Sequence, residues 1–302
     1  MPSIAASGQE AWVAMANANT PSRTGRYTFV YPVLFAFAAF FLVPLVVVVL
    51  NSLRTFEEIS QTSVLGWPRN FHWQNWSEAW SGYCFGGVCA GIHPYMWNSL
   101  LIAVPATIVS TLLGAINGYM LALWRFRGAS VVFAVITFGV FLPAQMKLVP
   151  WAITLRDLGL SNTLGGLVLI HVIGGLAFTT LFCRNYYVNV PQDLIKAARI
   201  DGAGLFVTFW RIVLPLSAPI LIVTVIWQFT NIWNEFLFGI TFSEGANRPV
   251  TAALMALDAN IAQAREYGVE SAAVLLAAIP TLLVYILGGR YFVRGLTAGS
   301  VK

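Results

Sequence analysis

The chain has 302 residues, of which 58% are hydrophobic and only 10% are charged. Soluble chains carry about 45–50% apolar and about 25% charged residues, so a soluble globule of this length could not cover its surface with so few charges. Disorder is excluded because apolar sequence is abundant. The composition predicts an integral membrane protein. Its net charge of +5 comes from basic residues scattered between apolar runs, which argues against a nucleic-acid partner.

Charged residues mark the ends of six apolar intervals. Each interval can supply the roughly 20 residues that a membrane-spanning helix needs. Residues 1–26 lack the features of a cleaved signal peptide, so they are interpreted as a tail before an uncleaved first span. The sequence thus predicts an all-α bundle in the lipid bilayer, residues 27–302, with six spans at about 27–50, 98–123, 128–146, 164–183, 213–235 and 271–289.

The distribution of Lys and Arg predicts the orientation of these spans. Six spans place both termini on one side, and that side holds 11 of the 17 basic residues. Basic residues favour the cytoplasmic side, so both termini are predicted to be cytoplasmic. Outer loops then fall at about 51–96, 147–163 and 241–270, and inner loops at about 125–130 and 184–215.

Small residues in the second span predict close helix packing. Ser110, Gly114 and Gly118 recur every four residues, and such a stripe lets a neighbouring helix approach closely.

The sequence offers no constellation for catalysis, so the chain is not expected to be an enzyme. The phosphate-binding pattern G-x-x-x-x-G-K-[ST] is absent, and the three cysteines lack metal-site spacing, so no cofactor or metal is expected. His171, inside the fourth span, has no carboxylate or thiol at helical spacing and is interpreted as a buried hydrogen-bonded side chain. Cys84 and Cys89, in the first outer loop, leave a disulfide and two free thiols equally open.

Ionisable groups are nearly absent from the predicted spans. Secondary carriers commonly need such groups to bind a coupling ion or proton. Apart from His171 the spans carry essentially none, although Glu235 lies near the outer end of the fifth. We therefore expect the energy for transport to come from a partner on one side of the membrane.

The longer inner loop is built more elaborately than a simple connection. Pro191 suits a first helical turn, and Gly202 suits the left-handed residue after a helix end. These signals predict a short helix at about 191–201, with Leu194, Ala197, Ala198 and Asp201 on one face, and a second helix at about 205–214. From spacing alone, docking to a partner and lying passively at the lipid interface remain equally open.

This loop resembles the E-A-A…D-G loop of ABC importer permeases, most closely those of the maltose-permease type. The resemblance covers about residues 27–302 and includes residues 233–236 and 291–299. In detail the chain looks most like the glucose/mannose importer branch. The residues that carry the resemblance are Lys196, Ala197, Ala198, Arg199, Ile200, Asp201, Gly202 and Ala203, followed by Pro215.

The resemblance implies a type I ABC importer permease fold, with a core permease module at about 95–290, in a bacterial inner membrane. The short helix would be the coupling helix, seated on a cytoplasmic dimer of ATP-binding subunits. Ala197 and Ala198 would form the contact surface, while Asp201 and Gly202 fix the shape of the loop. Lys196 departs from the acidic residue of the family. A second homologous permease and a periplasmic sugar-binding protein would complete the transporter.

A sugar-translocation path would need aromatic faces and hydrogen-bonding groups inside the bundle. Ordinary helix packing explains the candidate residues equally well. The candidate residues for the path are Trp227, Asn231, Trp233, Asn234 and Glu235.

An alternative function is a stand-alone secondary sugar carrier or channel not driven by ATP.

Overall fold

The computed structural model describes residues 23–85, 88–124, 126–256 and 266–297, and this part of the chain is mostly helical. The tail 1–26 and the C-terminus therefore lie largely outside the described residues. A two-stranded antiparallel hairpin joins β1 (Cys84–Phe85) to β2 (Val88–Cys89). The α-helices are α1 (Arg23–Ser52), α2 (Phe56–Gln61), α3 (Gln74–Ser81), α4 (His93–Leu123), α5 (Ala129–Phe138), α6 (Leu148–Asp157), α7 (Leu164–Tyr187), α8 (Gln192–Ile200), α9 (Leu205–Thr208), α10 (Leu214–Leu216), α11 (Ala218–Trp233), α12 (Leu237–Phe242), α13 (Val250–Met255) and α14 (Tyr267–Thr297).

Four helices among the described residues are individually long and apolar enough to cross a membrane: α1, α4, α7 and α14. They coincide with the predicted first, second, fourth and sixth spans. Two further apolar stretches, at the predicted third and fifth spans, are each bent at a short break. The number of spans reaches six only if each bent pair crosses the membrane once, so six crossings stay a prediction.

The third predicted span, 128–146, is not one straight helix. The stretches Ala129–Phe141 and Ala144–Asp157 meet at 106°. Pro143 stands at the break with ψ at 140°, outside helical geometry. Proline has no amide hydrogen to continue a helix. The uncharged interval was therefore long enough for a membrane span, but the helix that it forms is interrupted at Pro143.

The fifth predicted span, 213–235, is bent as well. Leu205–Leu216 and Ala218–Trp233 meet at 79° around Ser217, which lies between Pro215 and Pro219. The helix after the bend has 16 residues, Ala218–Trp233.

The small-residue stripe of α4 packs on α7, as predicted. A Cβ added to Gly114 would lie 2.2 Å from Thr179 Oγ1, and one added to Gly118 would lie 2.7 Å from Arg184 N. Thr179 Oγ1 also donates to the Ser110 carbonyl at 3.0 Å. Close backbone approach, available only without side chains at these positions, makes α4 and α7 the central pair of the bundle.

Two hydrophobic clusters lie along this pair. One surrounds the first half of α4 and includes Tyr95, Ile102, Leu167 and Trp233. The other, which we call the inner cluster, surrounds the second half of α4 and joins it to the loop that follows α7. The inner cluster comprises Ala115, Tyr119, Ala122, Leu123, Cys183, Tyr187, Val190, Ile195, Phe209 and Val213.

The hairpin before α4 is closed by a disulfide between Cys84 and Cys89, which resolves the alternative that the sequence left open. Phe85 is fully buried beneath it, and Tyr95 Oη donates to the Phe85 carbonyl at 2.8 Å. The hairpin is therefore attached directly to the first turns of α4.

Candidate coupling loop and translocation cavity

The short helix of the loop after α7 is present as predicted, as α8. Pro191 precedes its first residue, and Gly202 follows its end with φ at +77°. The Gly202 amide donates to the Arg199 carbonyl at 3.1 Å, and the Ala203 amide donates to the Ala198 carbonyl at 2.9 Å. This pair of bonds is the Schellman arrangement, which needs a left-handed residue and so favours glycine at position 202.

One side of α8 packs against the rest of the protein, and the other side is exposed. Ile195, a member of the inner cluster, and Ala198 are both buried, being 4% and 5% exposed. Leu194, Ala197 and Ile200 point outward, with Ile200 85% exposed. The prediction that Ala198 shares the accessible face of Ala197 is wrong. The larger Ile195 takes the inward position, and Ala198, three residues on, follows it.

Two of the exposed charges of α8, those of Asp193 and Lys196, are paired within the helix. Lys196 Nζ lies 2.9 Å from Asp193 Oδ1, one turn earlier. The Lys196 ammonium holds the pKa of the Asp193 carboxyl below its usual range, through the hydrogen bond and the charge. Asp193 also stands in the first turn, where a negative charge favours the helix. Lys196 therefore has an ion-pair partner within α8. Asp201, which directly follows the last residue of α8, is exposed.

The second helix of the loop covers the predicted range but is less regular. α9 continues into a π-helical turn, Phe209–Val213, and then into α10, where Pro215 occupies the start. Phe209 and Val213 are buried in the inner cluster, whereas Trp210 is 48% exposed.

A cavity of about 150 Å³ lies between α7 and α11. Three predicted path residues line it: Trp227, Asn231 and Glu235. Trp233 does not line it; its Nε1 donates to the Ala277 carbonyl at 3.0 Å, which is the helix-packing role that the sequence left open. Asn234 is exposed at the end of α11. The lining is completed by Lys147, Ile170, His171, Gly174, Gly175, Gln228, Ile232 and Phe238.

Three ionisable side chains share this cavity, which the sequence did not predict. Lys147 was assigned to an outer loop, but the bend at Pro143 brings it to the cavity beside His171 and Glu235. A proline and a glycine within the third interval, Pro143 and Gly139, were the signal that could have shown the break. The described residues contain no group of three His, Cys, Asp or Glu side chains able to hold a metal ion.

Glu235 and Gln228 are held in place by their neighbours. Both Glu235 carboxylate oxygens accept the Phe238 amide, at 3.1 and 3.0 Å, at the start of α12. Gln228 is 2% exposed, and its Nε2 lies 3.4 Å from the His171 carbonyl. A carboxylate held by the Phe238 amide and the buried amide of Gln228 give the cavity fixed polar groups.

Trp227 presents a supported aromatic surface to the cavity. The Phe178 ring stacks on it, with centroids 3.2 Å apart and planes 13° apart, and Phe182 continues the stack at 4.2 Å from Phe178. One face of the indole is thus covered from behind. An aromatic plane beside a few hydrogen-bonding groups is a typical lining of a small-molecule site.

Comparison with known proteins shows the class. Residues 110–296 match the family described as binding-protein-dependent transport system inner membrane component. The chain belongs to this family, and is a membrane-embedded permease component of an ABC transporter.

Relatives extend the similarity beyond that module. The chain is 31% identical over 278 residues to the probable ABC transporter permease protein YurM of Bacillus subtilis, covering 91% of this chain and 88% of that one. It is 30% identical to the diacetylchitobiose uptake system permease protein NgcG of Streptomyces coelicolor, covering 86% and 84%. It is 31% identical to the xylose/arabinose import permease protein XacI of Haloferax volcanii, covering 88% and 90%.

A solved structure shares the fold. A chain of a bacterial ABC transporter involved in the import of the acidic polysaccharide alginate superposes with a TM-score of 0.73 at 22% identity. The match covers 90% of this chain and 99% of that one. The helical bundle described above is therefore an ABC importer permease fold.

Proposed function

We propose that the chain is the permease subunit of an ATP-driven, binding-protein-dependent sugar importer in a bacterial inner membrane. The family supports the permease role. Relatives named for diacetylchitobiose, xylose and arabinose, and α-glucosides support a carbohydrate substrate. Six crossings, cytoplasmic termini, a tail at 1–26 and a permease module at about 95–290 belong to the same proposal, supported by the excess of basic residues on the N-terminal side.

The observation that carries the proposal is the division of α8 into two faces. Ile195 attaches the helix to the inner cluster and Ala198 is buried as well, while Leu194, Ala197 and Ile200 are exposed. Such a face, on a helix fixed by a Schellman end, suits docking into a groove. Its partner in this proposal is a dimer of ATP-binding subunits, and a second homologous permease and a periplasmic sugar-binding protein complete the complex.

Co-purification tests the class. The chain, extracted in mild detergent, should bring with it an ATPase and a second permease. Addition of sugar-loaded binding protein should then stimulate ATP hydrolysis, and the sugar that stimulates most identifies the substrate. If the chain purifies alone and imports sugar alone, the proposal fails.

Gly202→Arg tests the coupling loop. A side chain at φ +77° is strained although the space around Gly202 is open, so the end of α8 should be displaced. Uptake should be lost while membrane insertion persists. Gly204→Ala is the matched control, because Gly204 has φ at −72° and open space, and it should transport normally.

For the substrate we propose a monosaccharide such as glucose or mannose. The cavity between α7 and α11 is small, about 150 Å³, which favours one sugar ring over an oligosaccharide. Trp227 would stack on the ring, while Asn231, Gln228 and Glu235 would bond its hydroxyls.

A stand-alone carrier is the second candidate, and one observation favours it. Lys147, His171 and Glu235 line the same cavity, and such groups are what ion-coupled carriers use. Proteoliposomes containing the chain alone, with an ion gradient and no ATP, would accumulate sugar if this alternative were correct. The importer predicts accumulation only with the ATPase and ATP.

A further inference from the structure

Trp124 follows the last residue of α4, and together with Tyr119 it contacts both halves of the loop that contains α8. Its indole Nε1 donates to Tyr119 Oη at 2.6 Å, and that hydroxyl donates to the Leu205 carbonyl at 3.1 Å. The Arg199 guanidinium lies over the indole ring, 4.6 Å from its centroid. Arg199 belongs to α8 and Leu205 begins α9. Tyr119 of α4 and Trp124 at its end therefore hold the loop on both sides of Gly202.

These contacts lie in or beside the inner cluster. Tyr119 is fully buried, and its ring packs on Phe209 with centroids 5.3 Å apart. Hydrogen bonds shielded from water are stronger than exposed ones, and a guanidinium over an indole face adds a cation–π contact. Hydrogen bonds, a cation–π contact and packing of aromatic rings therefore all attach the loop to the end of α4.

The opposite end of α4 is attached to a different segment. Asn98 Nδ2 donates to the Arg248 carbonyl at 2.9 Å, and Ser99 Oγ accepts the Val250 amide at 2.8 Å. Both attachments belong to one helix, since α4 runs over 31 residues from His93 to Leu123. A displacement received near Trp124 would thus reach residues 248–250 through one helix.

We propose that Tyr119 and Trp124 are positioning residues that transmit the movement of α8 into α4. The inference rests on the proposed function, in which α8 contacts the ATPase. Tyr119 acts as donor to Leu205 and acceptor from Trp124, so the two side chains form one relay. Neither residue lines the cavity between α7 and α11.

Tyr119→Phe and Trp124→Phe test the relay in the transporter complex that co-purifies with the chain. Each keeps an aromatic ring and removes one hydrogen-bonding group. In proteoliposomes, the number of sugar molecules imported per ATP hydrolysed should fall about threefold or more, because Trp124→Phe removes one hydrogen bond of the relay and Tyr119→Phe removes both. ATP hydrolysis should continue. The double variant should be no worse than either single variant, because both interrupt the same relay.

Tyr187→Phe is the matched control. Tyr187 belongs to the same inner cluster, but its hydroxyl bonds neither Trp124 nor Leu205. It should keep the wild-type ratio of sugar to ATP. The inference is overturned if the Tyr119 and Trp124 variants keep the wild-type ratio, or if Tyr187→Phe lowers it equally, which would indicate packing alone.

The same measurement separates this inference from the proposed function. If wild-type import needs neither the ATPase nor ATP, the proposed function fails and the relay fails with it. If wild-type import is ATP-driven and the relay variants remain fully coupled, only the inference fails.

Discussion

Gly175 of α7 and Gln228 of α11 are in such close contact that no side chain fits between them. A Cβ added to Gly175 would lie 2.0 Å from Gln228 Nε2 and 2.8 Å from its Cδ. The glycine thus sets how deeply the buried amide of Gln228 lies between the helices, and both residues line the cavity.

Gly175→Ala should therefore displace the Gln228 side-chain amide, the group that the new methyl would meet. Overpacking a close contact costs about 1–3 kcal/mol, so the melting temperature in detergent should fall and the KM for sugar uptake should rise. Gly165→Ala, on the same helix, is the control, since its Cβ would meet nothing nearer than 4.0 Å. Equal melting temperatures and equal KM values for the two variants would contradict the role of Gly175.

Lys147→Gln should weaken sugar uptake. Lys147 lines the cavity, and in this prediction its ammonium donates to a hydroxyl of the bound sugar. A hydrogen bond to a charged group is worth about 1.5–3 kcal/mol, so the KM should rise about tenfold or more. Arg156→Gln removes a cation from α6 that is exposed and paired with Asp157, and it should leave the KM unchanged. An unchanged KM for Lys147→Gln in transport assays would remove Lys147 from the binding site.

Gly114→Ala should destabilise the central helix pair. The new methyl group would lie 2.2 Å from Thr179 Oγ1 and 2.8 Å from the Thr179 backbone carbon, so α4 must move away from α7. We expect a loss of about 1–3 kcal/mol, read as a lower melting temperature. Gly289→Ala meets nothing within 4 Å and should melt like the wild type. A wild-type melting temperature for Gly114→Ala would mean that the pair packs more loosely than described.

The three cysteines should differ in their labelling by a maleimide reagent with and without reductant. Cys84 and Cys89 should label only after reduction, because they form a disulfide, and Cys183 should stay unlabelled in the folded protein because it is buried. Cys84→Ser should free Cys89 for labelling without reductant. Labelling of both residues in the untreated wild type would exclude the disulfide.

Local signals were sufficient for some elements and not for others. Pro191 and Gly202 predicted α8 because helix ends depend on a few neighbouring residues. The stripe at Gly114 and Gly118 predicted close packing because it follows the helical period. The orientation of Ala198 was predicted wrongly, since the inward face of a short helix depends on what lies beneath it.

The candidate cavity depended on long-range geometry. The position of Lys147 is set by the bend at Pro143. Counting the uncharged residues between charges gives the length of a predicted span but not a bend within it. Trp227 and Asn231 were found from residue type, but their meeting with His171 requires the packing of α11 on α7. The relay from Trp124 to Leu205 joins residues far apart in the chain and leaves no periodic signal.

The hairpin disulfide also offers a test of topology that needs no transport assay. Disulfides persist in oxidising compartments and are rare in the reducing cytosol. An oxidised Cys84–Cys89 pair in intact cells would thus report that the start of α4 faces outward. If α4 crosses the bilayer once, Trp124 and the α8 loop then lie on the cytosolic side, where ATP is present.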